Sequence, residues 1–560
     1  MTILSTRRAA LLMMMLIACQ HVLAAPANVD QLQRLSAGFV DKYRKGSSEK
    51  EREDWSASSF LQEIESQQES LRQLQAIDPE GLGLEQDIDR RLLTGIARSD
   101  INTAQQQRRW ENDAAMYLPS SQLGQLFEPA FAGSGAQRLQ QLSTLLSALP
   151  ERLDQARKNL KQPPRRFTEA AIFQARRSLK TLADGRAGLP AMNAENTAVF
   201  DRAEAALQDY LAFLEQDLLP RSTGSWQLGR EAYDFILQKR WYMDADADQI
   251  LQRGRGAFAE TEALAQAVAA RIQPGKHWTE VFETLKDDHP PADGIKQAYQ
   301  QQMDAARAFV IENSVVTLPE GERVITIDTP PAMRRSSPFG TFQTADPFDG
   351  GLEGRLILTP IEAWMTPEQQ AQRLRSHSTA WIPVIAVHEA YPGHHAQALK
   401  VNENPNLLRR VVSESIFSEG WGLFTEELMF ELGFLQGDDV RLTQLRNRLW
   451  RAARVILDVS LHTGQMSFDE AVEFLVEKVR FEPYAAELEV GMYIRNPTYV
   501  LGYLIGMQEI EAIRADYIAL HGEPQPPSEF YDRLLRIGSI PPALLREELL
   551  TSNSTDHDPD

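Results

Sequence analysis

An apolar run that leads directly into a histidine cluster organises this chain: Trp381-Ile382-Pro383-Val384-Ile385-Ala386-Val387-His388-Glu389-Ala390-Tyr391-Pro392-Gly393-His394-His395. The apolar run predicts a buried helix. Pro392 cannot donate a hydrogen bond to the carbonyl of His388 and clashes with it, and Gly393 tolerates unusual dihedral angles. We therefore expect the helix to bulge or kink here. Two residues absorbed as π-type bulges would bring His394 to where a residue four positions after His388 usually lies.

Outward from this segment, the pattern is mainly helical. From about Asp30 to Val310, apolar residues recur at three- and four-residue spacing. Three short β-type runs precede the histidine cluster, at Val324–Ile327, Gly340–Gln343 and Arg355–Leu358. The sequence predicts a mainly α fold. We expect a large two-lobed helical bundle around a deep cleft, with a small antiparallel β element just before the histidine-bearing helix.

The predicted organisation has four parts. Residues 1–25 are expected to be an export signal, 26–320 a helical scaffold lobe, 321–550 the lobe that carries the chemistry, and 551–560 a disordered tail. With 560 residues, of which 43% are hydrophobic, the chain can bury a large core. Its formal net charge of −20 argues against nucleic acid as a partner, because phosphate binding needs a basic surface.

The N-terminus has the pattern of an export signal. Arg7 and Arg8 precede an apolar stretch from Ala9 to Ala18 that is too short to span a bilayer. Leu16-Ile17-Ala18-Cys19 is typical of a lipoprotein signal, whereas Val22-Leu23-Ala24 suits ordinary cleavage, and both endings remain open. Either one predicts a protein of the periplasm or outer envelope, whose membrane contact would be a lipid anchor on Cys19. Because Cys19 is the single cysteine, thiol catalysis and cysteine-ligated metals are excluded.

The histidine cluster predicts a metal site. His388 and Glu389 open the signature of zinc peptidases, in which a second histidine follows four residues after the first. Here the second ligand must be His394 or His395, and the spacing favours His394. On an unbroken helix His394 would lie about 240° around from His388 and His395 ~10.5 Å further along, so neither could share an ion with Zn–N bonds of about 2.0–2.1 Å, and His394 is favoured because the bulges would bring it round. Glu389 is placed to take a proton from water at the metal and pass it to a leaving amine.

A catalytic zinc site of this type needs a third protein ligand, and Glu419 is the best candidate. Its neighbours are apolar, and burying a carboxylate is costly unless a cation compensates it. Gly420 and Gly422 would permit close approach to the first helix. Glu426, seven residues on, is predicted to orient a ligand histidine from the same face. We expect Glu427 and Glu414, in contrast, to be exposed.

Four residues are candidates for substrate contacts. Hydrolysis of an amide needs donors that stabilise the oxyanion, and tyrosine, histidine and arginine side chains can supply them. Tyr503 and His462 are the leading candidates for this role. Arg495 and Tyr499 are candidates for substrate binding, with Arg495 engaging a substrate carboxylate.

At these positions the sequence resembles the bacterial family called domain of unknown function 885. Residues 388–395 match its His-Glu-x-x-Pro-Gly-His-His pattern, and Glu419–Trp421 match its Glu-Gly-Trp block. Further matches are Gln397, the Arg-x-x-x-Asp-x-x-x-His residues Arg454, Asp458 and His462, and the late residues Pro497, Tyr503 and Gly506. Thr498-Tyr499 departs from the Gly-Gln that usually follows the proline, which leaves the role of Tyr499 open.

The family is distantly similar to the helical zinc peptidases that include angiotensin-converting enzyme, thimet oligopeptidase and thermostable carboxypeptidases. That resemblance implies a long cleft between helical lobes. It also implies zinc bound by His388, His394 and Glu419, with Glu389 as general base. Peptidase activity is implied by this likeness alone.

The sequence hypothesis is therefore a zinc-dependent hydrolase of short peptides. Three alternatives remain open: a zinc hydrolase of non-peptide or cell-wall amides, a helical envelope lipoprotein that only binds partners, and a different metal such as manganese or iron. Glu389 discriminates the enzyme from the binding protein, because a binding protein has no use for an unligated carboxylate beside the metal.

Overall fold

The computed structural model describes residues 27–44, 52–127, 134–186, 189, 192–329, 334, 340–348, 350–362 and 364–551. The predicted export signal, including Cys19, lies outside the described residues, as do residues 552–560 of the predicted tail.

The N-terminal part is built from helices, many of which begin at a side-chain cap. The side chains of Ser56, Ser134 and Asp246 each accept a hydrogen bond from a backbone N–H in the first turn of a helix. The helices are α1 (27–44), α2 (Ala57–Gln75), α3 (Leu84–Gln107), α4 (Arg109–Asn112), α5 (Ser120–Leu126), α6 (Gly135–Asn159), α7 (Arg165–Arg186), α8 (Ala194–Phe213), α9 (Arg230–Lys239), α10 (Ala247–Ile272), α11 (Trp278–Leu285) and α12 (Ile295–Glu312).

A small sheet follows, at the three predicted positions. Its strands are β1 (Arg323–Asp328), β2 (Gly340–Gln343) and β3 (Glu353–Leu358), in the order β1-β3-β2. β2 pairs with β3 antiparallel, as expected, whereas β1 pairs with β3 parallel, so the sheet is mixed and not purely antiparallel. The reason is topological: β3 occupies the centre, and β1 and β3 run in the same direction because β2 reverses the chain between them.

The C-terminal part returns to helix, which confirms the mainly α fold class. Within the described ranges, no helix is long and apolar enough to cross a membrane. The helices are α13 (Pro367–Arg375), α14 (Ile382–Glu389), α15 (His394–Asn402), α16 (Leu407–Val411), α17 (Ser415–Glu431), α18 (Asp438–His462), α19 (Phe468–Val479), α20 (Pro483–Tyr493), α21 (Gly502–His521), α22 (Ser528–Arg536) and α23 (Pro542–Thr551).

The buried apolar side chains form two clusters. The smaller core draws on residues between Trp55 and Leu218. The larger core draws mostly on residues between Leu228 and Leu549, and helices α1 and α3 add to it. The predicted lobe boundary at residue 320 stays a prediction, and the larger core contains residues from both sides of it.

Helices α17 and α21 are in backbone contact through glycines. A Cβ atom on Gly506 would lie 1.8 Å from the carbonyl oxygen of Ile416, and one on Gly420 would lie 2.6 Å from the Cα of Gly506. The predicted close approach at Gly420 therefore exists, but its partner is α21 and not the first histidine-bearing helix. This contact fixes how deeply α17 sits in the larger core.

We expect Gly506→Ala to lower the free energy of unfolding by about 1–3 kcal/mol or more, because the added methyl group meets rigid backbone. Gly491→Ala is the matched control. That position lies inside helix α20 with nothing within 4 Å of the added atom, so the change should stabilise the protein by up to about 1 kcal/mol. Urea denaturation of both variants measures the difference, and equal effects would contradict the close contact.

Candidate metal centre

The two histidines meet because the chain leaves the helix between them. Helix α14 ends at Glu389, α15 begins at His394, and the Tyr391–Pro392 peptide bond between them is cis. The predicted π-type bulge is therefore wrong: the helix is interrupted, and a second helix starts. Gly393 lies so close to the end of α14 that a Cβ atom would be 1.9 Å from the carbonyl oxygen of His388. The imidazole rings of His388 and His394 are 4.9 Å apart at 89°.

Glu419 completes a group of three potential metal ligands. Its Oε2 lies 3.9 Å from Nε2 of His388 and 3.5 Å from Nε2 of His394. Ligand atoms of the three residues all lie within 4.8 Å of one another. Two imidazole nitrogens and one carboxylate oxygen are a donor set that suits zinc. The residues present therefore fit the ion that the sequence predicted.

Neighbouring side chains orient the ligands. The Nδ1–H of His388 donates to Oε1 of Glu426 at 2.9 Å, as predicted for Glu426, and this directs Nε2 towards Glu419. His394 is oriented in the same way by Gln397, whose Oε1 lies 3.4 Å from Nδ1. Gly422 makes room for the first ligand, since a Cβ atom there would lie 2.7 Å from Cε1 of His388.

Helix α17 also anchors the break between the two histidines. The indole N–H of Trp421 donates to the carbonyl oxygen of Pro392 at 2.9 Å, in a buried contact. The short segment from Glu419 to Gly422 thus supplies a ligand, the contact with α21, the anchor for the turn and the space for His388. This explains why these residues fall next to one another in the sequence.

The charges at the site are coupled. Burial lowers the pKa of His394, but Glu419 and then Glu389 outweigh that effect and raise it to about 9. Burial raises the pKa of Glu419, but the hydrogen bond and charge of His394 lower it to about 2. The proton on His394 therefore offsets the negative charge of Glu419. A metal cation that bound both side chains would take the place of that proton.

His395 points away from the ligands. Its Nε2 lies 3.0 Å from Oε2 of Glu322, which also accepts a hydrogen bond from the hydroxyl of Tyr391 at 2.6 Å. Arg307 pairs with the other oxygen of Glu322 at 2.5 Å. Of the two histidines left open by the sequence, the geometry therefore selects His394. Sequence analysis missed Glu322, which no motif marks and which lies just ahead of β1.

The predicted tyrosines lie beside the three potential ligands. The hydroxyl of Tyr499 donates to Oε1 of Glu419 at 2.9 Å, and its side chain is 39% exposed. The ring of Tyr503 stacks 6.5 Å from that of His388 at 14°. Glu389 follows His388 at the end of α14, and within the described part of the chain the structure records no hydrogen bond or ion pair from its carboxylate.

Two other candidates lie elsewhere. Nη1 of Arg495 bonds to Asp113 of the smaller core at 2.7 Å. His462 is fully buried, with its Nε2 3.1 Å from the carbonyl oxygen of Tyr493, and burial lowers its pKa to about 4. Neither contact reaches the three potential ligands. Both are consistent with a role in holding the segment that ends in Tyr499.

The expectation that Glu414 and Glu427 are exposed was wrong. Glu414 is 4% exposed, and its carboxylate accepts hydrogen bonds from Arg240 at 2.9 Å and from the indole N–H of Trp241 at 3.2 Å. Glu427 is partly buried and pairs with Arg441 through both oxygens. The compensating cations are distant in sequence or on the next helix, so the local pattern did not reveal them.

A cavity of about 660 Å³ adjoins the site at Tyr499. Its walls come from both cores: Phe60 and Trp110 belong to the smaller, and Ile236 and Trp241 to the larger. The same tyrosine thus contacts Glu419 and faces a space large enough for a small molecule.

Removing a residue that only hydrogen-bonds to a metal ligand typically weakens metal binding ~10–100-fold. We expect His394→Gln to weaken zinc binding by more than this, because it removes a proposed ligand itself. His395→Gln is the matched control, since glutamine can still donate to Glu322, and it should retain one equivalent of zinc. Competition with a fluorescent chelator measures both affinities. The assignment of ligands fails if His395→Gln is the variant that loses the metal.

Comparison with known proteins agrees with the fold. The structure is similar to that of a "putative lipoprotein of unknown function" from Shewanella oneidensis, with a TM-score of 0.75, 20% identity and coverage of 95% of this chain and 99% of that one. It is also similar to a "putative lipoprotein" from Colwellia psychrerythraea, with a TM-score of 0.72, 17% identity and coverage of 94% and 98%. These likenesses show a shared fold.

No curated protein matches the sequence. The pattern of one family, described as "bacterial protein of unknown function (DUF885)", matches residues 33–549. The match spans the smaller core, all buried residues of the larger core except Leu32, and every residue of the candidate metal centre. The chain belongs to this DUF885 family.

Proposed function

We propose that this protein is a zinc-dependent peptidase that hydrolyses short peptides. One observation carries the proposal: three potential ligands converge, and the first of them is directly followed by Glu389, whose carboxylate makes no hydrogen bond or ion pair with any described residue. A purely structural zinc site is usually closed by four protein ligands, whereas a catalytic site keeps a position open. Among the described residues, the group found here has three members.

In this proposal His388, His394 and Glu419 hold the ion, with His388 kept in place by Glu426. Zinc, when bound, supplies Lewis acidity towards a carbonyl group and makes water a better nucleophile near neutral pH. The protein supplies the geometry. His388 on α14 and His394 on α15 are held at a fixed separation by the turn at Pro392. The hydrogen bond from Trp421 to that turn ties both to α17, which carries Glu419.

Glu389 acts as general base and then as general acid. A carboxylate beside the attacking water takes its proton and delivers it to the leaving amine. Tyr503 is the donor proposed for the oxyanion, because its ring lies 6.5 Å from that of His388 and a tyrosine hydroxyl can donate a hydrogen bond to developing negative charge. Tyr499 bonds to Glu419, so in this proposal it positions that ligand.

The alternatives differ in what they require of Glu389. A hydrolase of other amides would use the same residues, because selectivity lies in the walls of the cleft. A binding protein would have no need of Glu389. The cavity next to Tyr499 supports a site that receives a small ligand and so fits both hydrolases.

We also propose that the protein is exported. Arg7, Arg8 and the apolar stretch that follows have the composition of an export signal, and Leu16-Ile17-Ala18-Cys19 suits attachment of a lipid at Cys19. The two similar solved structures, both described as "putative lipoprotein", support this location in the cell envelope. Metabolic labelling with a fatty acid, compared between the natural sequence and Cys19→Ala, distinguishes a lipid anchor from release.

Incubation of the purified protein with a mixed peptide library, with and without a chelator, tests the activity. We expect cleavage that the chelator abolishes and added zinc restores. Absence of metal from purified protein that has been offered zinc would favour the binding protein instead.

Glu389→Gln should retain zinc and lose about 10²–10⁴-fold in kcat/KM, because glutamine cannot accept the proton. Metal analysis and hydrolysis are measured on the same preparation. The exposed carboxylate Glu231 on α9 provides the control, since Glu231→Gln should leave both measurements unchanged. Full activity in Glu389→Gln would remove the general base from the proposal.

A further inference from the structure

Helix α18 buries a row of polar side chains on one face. Asn447, Arg451, Arg454, Asp458 and His462 follow one another at spacings of four and three residues, which places them on the same side of the helix. Each has at least one buried side-chain nitrogen or oxygen atom without a hydrogen-bond partner in the described structure. Native proteins leave few such atoms. A row of them on one helix face is therefore a candidate place for a bound polar molecule.

Arg451 is the extreme case. Its guanidinium makes no recorded hydrogen bond or ion pair with a described residue, although arginine carries five N–H donors. Its contacts are with rings: Cζ lies 4.3 Å from the centre of Trp450 and 5.4 Å from that of Tyr503. The residue is 5% exposed. The guanidinium is therefore almost completely removed from water, and the carboxylates of Glu426 and Glu419 act on it electrostatically with no recorded hydrogen bond.

Arg454 adds to this positive charge. Its Cζ lies 4.6 Å from the centre of the Tyr503 ring, and its Nη2 lies 3.2 Å from Glu489. Burial, and then the charge of Arg454, lower the pKa of Arg451. Arg454 thus pairs with Glu489, whereas the neighbouring guanidinium of Arg451 has no carboxylate of its own within ion-pair distance among the described residues. The cost of burying an unpaired charge is large, and a bound anion relieves it.

Tyr503 connects this cationic pair to the metal centre. Its ring lies 5.4 Å from Cζ of Arg451 and 6.5 Å from the ring of His388, so the guanidinium and that ligand are within about 12 Å of each other. Glu419 and Glu426 are close enough to act on Arg451 electrostatically. An extended peptide spans ~3.3–3.6 Å per residue, so the distance corresponds to about three residues or fewer.

We propose that Arg451 and Arg454 bind the free C-terminal carboxylate of a short peptide whose scissile bond lies at the metal centre. The inference rests on the proposed function and narrows it to removal of one to three residues from a C-terminus. A guanidinium fork matches a carboxylate with two parallel hydrogen bonds. Arg495, which the sequence suggested for this role, already has Nη1 engaged by Asp113.

The test measures binding separately from turnover. Full-length zinc-loaded Glu389→Gln protein is titrated in a calorimeter with a panel of N-acetyl dipeptides, each as the free acid and as the C-terminal amide. We expect the acids to bind on the order of 100-fold more tightly than the amides. Arg451→Gln in the same background should abolish that preference. Arg441→Gln is the control: it lies on the same helix, paired with Glu427, and should preserve the preference.

A stability measurement separates binding from a structural role. Because Arg451 makes no hydrogen bond or ion pair with a described residue, Arg451→Met should leave Tm unchanged or raise it while the preference for acids disappears. A fall in Tm of several degrees, with the preference for acids retained, would show that Arg451 is structural. Arg451→Lys keeps the charge but not the fork, so it should restore part of the preference.

The outcomes distinguish this inference from the proposed function. If the protein binds the free-acid peptides selectively but cleaves no peptide, the carboxylate-binding site stands and the peptidase proposal is wrong. If it cleaves free-acid and amidated peptides equally well, the peptidase proposal stands and the carboxylate-binding site is wrong. Acids that bind no more tightly than amides, or less tightly than inorganic phosphate, would also overturn it.

Discussion

The hydrogen bond from the indole of Trp421 to the carbonyl oxygen of Pro392 is the interaction on which the site depends. It joins the helix that carries Glu419 to the turn that separates His388 from His394. One helix ends at that turn and the next begins, so its backbone groups need partners from outside. A buried donor from α17 satisfies one of them and ties the turn to the helix that carries Glu419. The candidate metal centre and the packing of the larger core therefore depend on the same contact.

The sequence predicted much of the fold because its signals are local. Periodic apolar residues predicted the helices, and the three β-type runs fell where the strands are. The convergence of His388, His394 and Glu419 was also predicted from the sequence, because burying histidines and a carboxylate in apolar surroundings is costly unless they can share a cation. The parallel pairing of β1 with β3 could not be predicted from the sequence, since it depends on which strand occupies the centre of the sheet.

The errors concern residues whose partners are remote in sequence. Glu414 was expected to be exposed, but Arg240 compensates it from 174 positions away. Arg495 was predicted to bind a substrate carboxylate, but it forms an ion pair with Asp113, which lies 382 positions away in the sequence. The interruption of the helix at Pro392 was anticipated, yet its form was not, because two helices joined by a turn and one bulged helix differ in tertiary support and not in local sequence. Arg451 went unnoticed for the opposite reason: its guanidinium makes no hydrogen bond or ion pair with any residue that the structure describes.

The ion pair between Arg495 and Asp113 joins the larger core to the smaller one beside the cavity, whereas all three potential ligands belong to elements of the larger core. The smaller core therefore contributes to the walls of the cavity but not to the group of three potential ligands. Substitutions on the smaller core would reshape the cavity and leave these three side chains in place. The cavity and the candidate metal centre can in this architecture diverge independently of each other.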